Sequence, residues 1–248
     1  MSLAAINVTG PLAKTLLQRA GLADPPRFLG HVHAEIAGIP CHVMRLSFTG
    51  EAAFELHHPV DRSVELWRAL MDLGADLGIR PHGLQALFGL RLEKGHVIVG
   101  MDTELDTTPR RIGMDWAVRM EKPAFIGRAA LERELRDKTS RWKMTGLVFD
   151  WRDYDRHFDN AGLIPPKDHT PIDDEYYIYD DDGKQLGYAT SQMYSPMLQR
   201  HIALARVPLE LTKPGSRVKM ELAVNHRYEY FDAVVTRLPL YNPARRTA

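Results

Sequence analysis

A chain of 248 residues with 44% hydrophobic content can bury a sizeable core, and at about 100 to 150 residues per domain it divides into two. Lys plus Arg equals Asp plus Glu at 32 each, so there is no basic excess to displace counterions from nucleic acid, and nucleic-acid binding is disfavoured. No apolar run approaches the roughly 20 residues that span a bilayer, no charged-then-apolar leader precedes Ile6, and the lone Cys41 excludes an internal disulfide; the sequence reads as cytoplasmic with no membrane partner.

Taken in chain order, the first half mixes strands with helices. A strand is expected over Ala4 to Val8 and a helix over Pro11 to Ala20, with Pro11 in its first turn and Gly21 after its last. Strands follow near His31 to Ile36 and Pro40 to Phe48, then one around Glu55. Helices are expected at 61–73, 83–94 and 127–137, the first with Asp61 as cap and Val64, Trp67, Leu70 and Met71 as its core face. From Trp142 onward helical periodicity gives way to short alternating runs punctuated by turns such as Asp180-Asp-Asp-Gly183 and Lys213-Pro-Gly215. The fold class is therefore α+β followed by a small C-terminal β-barrel, with domains at 1–140 and 141–248. The polar, proline-bearing stretch from Asp150 to Asp174 is long for a loop and is expected to be ordered against a neighbour or functionally placed. Asn225 to Tyr230 reads as a hairpin crossing at the barrel surface.

Few of the usual chemical constellations are present. His31 and His33 share a strand face, but no third ligand stands at a spacing that completes a metal site, so no metal is expected. His57 and His58 point to opposite sides of a strand. Neither a P-loop, a dinucleotide fingerprint nor a serine elbow is found. Cys41, beside Val43 in an apolar strand, reads as a packing residue.

The segment Arg45-Leu-Ser-Phe48-Thr-Gly-Glu51-Ala-Ala-Phe54-Glu55-Leu56 reads as a tight Thr-Gly-Glu turn leading into a strand meant for burial. It resembles the folate-site hairpin of the glycine cleavage T-protein superfamily, the aminomethyltransferases and their relatives. Six further segments match that family in order. They are Ile79 to Gly95, Asp106-Thr-Thr-Pro109, Gly113 to Val118, Phe125 to Leu131, Leu186-Gly-Tyr-Ala-Thr-Ser191, and Tyr194-Ser-Pro-Met-Leu198 running into Ile202-Ala-Leu-Ala205. The resemblance implies a ferredoxin-like α/β domain of the T-protein type ahead of the barrel. It further implies tetrahydrofolate as cofactor, with Glu55 holding the pteridine, Phe48 stacking beside it, and Tyr188 and Tyr194 at the cavity rim. On residue type alone, Glu55 is a solvent-facing strand residue, Arg91 with Glu93 a helix ion pair, and the two tyrosines barrel packing.

Departures from the family pattern narrow the comparison. Phe48 stands where the glycine-cleavage branch has tyrosine, and Ala86-Leu-Phe88 stands where that branch has Ala-Arg-Asp. Together with Val97 to Thr103, these features are more similar to the folate-binding region of sarcosine oxidase alpha subunits and dimethylglycine-oxidising enzymes. The resemblance places the family's catalytic aspartate upstream of this chain, so no catalytic residue is assigned. The expected function is tetrahydrofolate-dependent one-carbon transfer from a small methylamine or aminomethyl donor, with self-association or a partner subunit. The alternative is a non-catalytic folate-binding or assembly module.

Overall fold

The computed structural model describes residues 2–172, 174–244 and 247. The chain divides into two compact units, one of residues 1–94 with 242–248 and one of residues 95–241. This division falls well before residue 140, and the first barrel strand begins at Trp142. Among the described residues no helix is long and apolar enough to cross a membrane.

The first unit is a four-stranded antiparallel sheet ordered β1-β4-β3-β2, from β1 (Leu3–Thr9), β2 (His31–Ile36), β3 (Ile39–Met44) and β4 (Ala53–Pro59). Alternation along each strand gives the sheet two unlike faces. The inner face carries Val8, Ile36, Ile39, Cys41, Val43, Phe54 and Leu56, all buried, against helix α1 (Ala13–Arg19) and helix α2 (Ser63–Leu73). Each large aliphatic or aromatic side chain removed from water there stabilises the fold by about 1.5–3 kcal/mol. Cys41 belongs to this core, where burial pushes its thiol above the ordinary value.

Two local expectations are corrected here. The core face of α2 is formed by Leu66 and Leu70, whereas Val64 and Trp67 are 62% and 45% exposed. Leu66 and Leu70 stand four apart and stack on one side of the helix, and the stripe through 64, 67 and 71 is its neighbour. Strand β3 ends at Met44, so Phe48 lies in a wide connection over 45–52 and not in a strand. Within it the Gly50 N–H donates to Ser47 Oγ at 3.0 Å and the Glu51 N–H to Thr49 Oγ1 at 3.4 Å, local bonds that compete with a continued ladder.

The second unit adds helix α4 (Arg128–Asp137), after helix α3 (Leu84–Lys94) of the first unit, and a closed six-stranded barrel in the order β10-β5-β8-β7-β6-β9. Its strands are β5 (Trp142–Phe149), β6 (Tyr176–Tyr179), β7 (Gln185–Ser195), β8 (Arg200–Pro208), β9 (Arg217–Val224) and β10 (Arg227–Thr236). Inward residues such as Leu147, Phe149, Ile178, Met220 and Phe231 are at most 2% exposed. The β9–β10 hairpin turns on Asn225 and His226, both with positive φ, the conformation of a two-residue type I′ turn.

The stretch from Asp150 is not simply a loop. It opens with helix α5 (Trp151–Asn160), capped by the Asp150 carboxylate, which accepts from the N–H groups of Arg152 and Asp153. Tyr154 and Phe158 turn one side of α5 onto Phe231 of β10, and Asp153 accepts from the Asp232 N–H at 2.7 Å.

Candidate functional site

The outer face of the first sheet is polar and open. Glu55 sits on it, two residues from His57, while Phe54, Leu56 and His58 between and beside them point inward. The carboxylate is 36% exposed and its Oε2 lies 3.2 Å from His57 Nε2. In register with Glu55 are Asn7 on β1 and Met44 on β3. The ladder bonds from the Gly10 N–H to Ala52 O and from the Val60 N–H to Ser2 O make Asn7 and Glu55 a non-hydrogen-bonded pair, the kind in which facing side chains come closest. A carboxylate with an amide beside it on an accessible surface can accept a fork of N–H donors from a planar heterocycle.

Phe48 lies half-buried in the 45–52 connection that leads to this strand. Gly50 takes φ +85°, and a Cβ there would meet the Lys94 side chain at 2.9 Å, so this turn needs glycine on both counts. The connection is tied to the end of β1 through Thr9 Oγ1 and Thr49 Oγ1, 3.0 Å apart. His58, on the inner side, bridges the Leu56 carbonyl and the Ser63 hydroxyl at 2.9 Å each.

In the second unit, Tyr188 and Tyr194 belong to two different clusters. Tyr188 donates to Glu104 and accepts from Arg206, whose guanidinium also reaches Glu104 at 2.6 Å and the Asp102 carbonyl at 3.0 Å. The Arg206 guanidinium stacks between the Tyr188 and Trp142 rings, 4.7 Å from each centroid. Tyr188 and Arg206 together hold the Glu104 carboxyl below the usual carboxylate range, and burial, with Glu104, raises the Tyr188 phenol above its ordinary value. Asp102 is fully buried and accepts from Thr190 Oγ1 at 2.6 Å, Ser191 Oγ at 2.8 Å and the Ile98 N–H at 2.7 Å. Tyr194 lies instead against Trp151 and His201, with Lys167 Nζ over its ring.

Sequence spacing missed three residues of the outer face. Asn7 is invisible because only strand pairing brings it beside Glu55, and His42 and His57 join His31 and His33 for the same reason. The described residues nonetheless hold no group of three His, Cys, Asp or Glu placed to bind a metal ion. Arg91 and Glu93 are both buried.

Comparison with known proteins bears on these groups. The family described as GCVT N-terminal domain matches residues 1–122, and the glycine cleavage T-protein C-terminal barrel domain matches residues 161–242. An aminomethyltransferase from Halothermothrix orenii is 32% identical over 217 residues, covering 87% of this chain and 56% of that protein. One from Synechococcus sp. strain RCC307 is 35% identical over 240 residues, covering 95% and 59%. Human mitochondrial dimethylglycine dehydrogenase is 32% identical over 243 residues, covering 96% of this chain and 26% of that protein. The chain thus spans a little over half of these aminomethyltransferases and about a quarter of the dehydrogenase. The crystal structure of glycine cleavage system aminomethyltransferase T from Bartonella henselae superposes with a TM-score of 0.79 at 26% identity, over 98% of this chain and 60% of that one.

Proposed function

The chain belongs to the glycine cleavage T-protein superfamily, and from that premise we propose that it binds tetrahydrofolate through Glu55 and serves the transfer of a one-carbon unit from an aminomethyl or N-methyl donor. The observation that carries this reading is the placement of Glu55: an accessible carboxylate on an open sheet face, beside Asn7, at the end of the 45–52 connection. An acceptor so placed fits the adjacent N–H donors of a pterin edge.

When bound, tetrahydrofolate supplies the ring nitrogen that receives the carbon. The residues of this chain orient it. Glu55 accepts the pterin N–H groups, His57 fixes one carboxylate oxygen, and Phe48 offers a ring face with no polar atom. Holding two reactants in one orientation is the main source of acceleration in a transfer of this kind. Tyr188 stays a proposed binding residue of the second unit on the strength of its polar cluster with Glu104 and Arg206, whereas the aromatic packing of Tyr194 supports such a role less well.

A partner also belongs to this reading. A largely apolar groove of about 530 Å³ runs along β1, the edge strand of the sheet, between Leu12, Leu16, Trp67, Leu77 and Ile79. Such a groove supports self-association or a partner subunit.

Calorimetric titration of 5-formyl-tetrahydrofolate tests the assignment. Glu55→Gln turns an amide donor toward a pterin donor, and losing a charge-assisted pair worth about 2–3 kcal/mol lowers affinity about 30- to 150-fold. A merely exposed strand glutamate changes affinity by less than about 0.5 kcal/mol. Equal affinities, with unfolding temperatures also equal, remove Glu55 from the site.

A further inference from the structure

The outer face of the first sheet carries an array of imidazoles, of which the folate reading uses only His57. Strand pairing sets His33, His42 and His57 in one row across β2, β3 and β4, with His31 at the β2 end of the next row. Two of their nitrogens converge: His42 Nε2 and His31 Nδ1 are 3.0 Å apart, in rings whose planes cross at 77°. None of these side chains serves the core, which lies on the other face, and His31 and His33 are exposed.

Two imidazole ligands of one tetrahedral zinc ion, each about 2.0–2.1 Å from the metal, stand about 3.3 Å from one another. The His31–His42 pair therefore needs to open by only a few tenths of an ångström to hold such an ion. At present one ring donates its N–H to the other. When a metal binds, that proton moves to the donor's second nitrogen, so both lone pairs are freed with no net loss of a proton. The neighbouring rings do not complete the site. His33 stacks on His42 at 4.3 Å with planes 20° apart, so its lone pair runs nearly parallel to that of His42 and does not converge on the same point. His57 Nε2 is engaged 3.2 Å from Glu55 Oε2. One copy thus supplies two ligands, and the described residues hold no metal-binding group of three.

We propose that His31 and His42 form half of a zinc site, which the same two residues of a second copy of this chain complete. A two-fold axis through the ion then brings four imidazoles into a tetrahedron, the coordination zinc takes in closed structural sites. Three features fit this occupant. β2 is an edge strand, so no further strand of the sheet flanks the pair on that side. None of the four strands contains Lys or Arg, so an arriving cation meets no fixed positive charge on the face, while Glu35 and Glu55 add negative charge to it. With 32 basic against 32 acidic residues, two copies carry no net charge to hold them apart. The surface lies at the opposite edge of the sheet from β1 and its apolar groove, and the inference is independent of the folate reading of Glu55.

The test titrates zinc chloride into the untagged 248-residue chain, first freed of metal by a chelator, and follows heat by calorimetry and mass by sedimentation velocity. The expected result is half an equivalent of zinc per chain, a doubling of mass that depends on the ion, and return to the starting mass when EDTA is added. His31→Ala and His42→Ala should each weaken zinc binding at least about a hundredfold and abolish the doubling, because each takes two of the four ligands from the paired site. His169→Ala, which removes an exposed imidazole of the second unit, should change neither. Thermal melts in chelator show whether the variants stay folded, as side chains outside the core allow.

One equivalent of zinc on a chain whose mass does not change would place the whole site within one copy and overturn the proposal. No zinc-dependent change in mass, with the ion in excess over the chain, overturns it as well. So does a doubling that persists in the His31→Ala/His42→Ala double variant, since other histidines then hold the ion, or one that His169→Ala weakens as much as His31→Ala does. The effect of Glu55→Gln on 5-formyl-tetrahydrofolate, measured in chelator, is untouched by any of these outcomes.

Discussion

Gly187 and Arg206 approach so closely across the β7–β8 pair that a Cβ on Gly187 would stand 2.0 Å from the Arg206 carbonyl oxygen. The obstacle is backbone within a barrel ladder, so it cannot swing aside as a side chain would. Gly187→Ala should therefore cost about 2–4 kcal/mol and shift the barrel register locally. Urea unfolding measures it, and an alanine variant as stable as the parent would show that the two strands lie further apart.

The same contact carries Arg206, and its partners predict an asymmetry. Arg206 is 5% exposed and stacked between Trp142 and Tyr188, whereas the Glu104 side chain is 55% exposed. Arg206→Ala empties the stack and strands the Asp102 carbonyl, a loss of about 3–5 kcal/mol. Glu104→Gln gives up a solvent-screened ion pair and costs about 1 kcal/mol or less. Unfolding of both variants in parallel checks the ratio; comparable losses would mean that the ion pair, and not the stacking, holds the 102–104 segment.

His201 sets a pH window. It is 4% exposed, its Nε2 lies 3.0 Å from the Pro166 carbonyl and its ring is stacked 4.1 Å from Tyr154. Burial lowers its proton affinity in the folded chain, while in the unfolded chain it titrates near pH 6.5. Below that pH the unfolded chain takes up a proton that the folded chain refuses, so stability is full above about pH 6.5 and declines as the pH falls toward the lowered native value. Asp168 nearby acts in a separate window: its pKa is lowered chiefly by the Thr170 N–H, and its contribution is lost only in the more acid carboxylate range. His201→Gln should flatten the decline between about pH 6.5 and 5 in thermal melts. An unchanged slope would assign it to other histidines.

Local pattern revealed the elements whose information is local. Gly21 closes the first helix, Asn225 and His226 close the last hairpin, and the alternation of β4 puts Glu55 outward as read. Helix α5 was legible too, in Asp150 followed by Trp151, Tyr154 and Phe158 at helical spacing, but the prolines at 165, 166 and 171 weighted the whole stretch toward loop. What spacing could not supply was cross-strand register. Asn7 is 48 residues from Glu55 and His42 is 15 from His57, and only the ladder bonds join them. On α2 Leu70 is buried as read, but Val64 and Trp67 are as apolar as Leu66, and only tertiary packing makes Leu66 its buried companion.

Lys94 at the end of α3 hydrogen-bonds to Asn242, and residues 242–248 count with the first unit, so the second unit is an uninterrupted stretch set between two parts of the first. The order of synthesis then runs against the order of assembly. The barrel unit has all of its strands once Thr236 has been made, but the first unit waits for a contact 148 residues downstream before its last hydrogen bond can form. Closing so long a loop costs less entropy once residues 95–241 have folded and hold its ends near each other. A nascent chain stalled before Asn242 would thus carry a finished barrel and a sheet domain without its clasp, and would offer proteases the earlier half of the molecule.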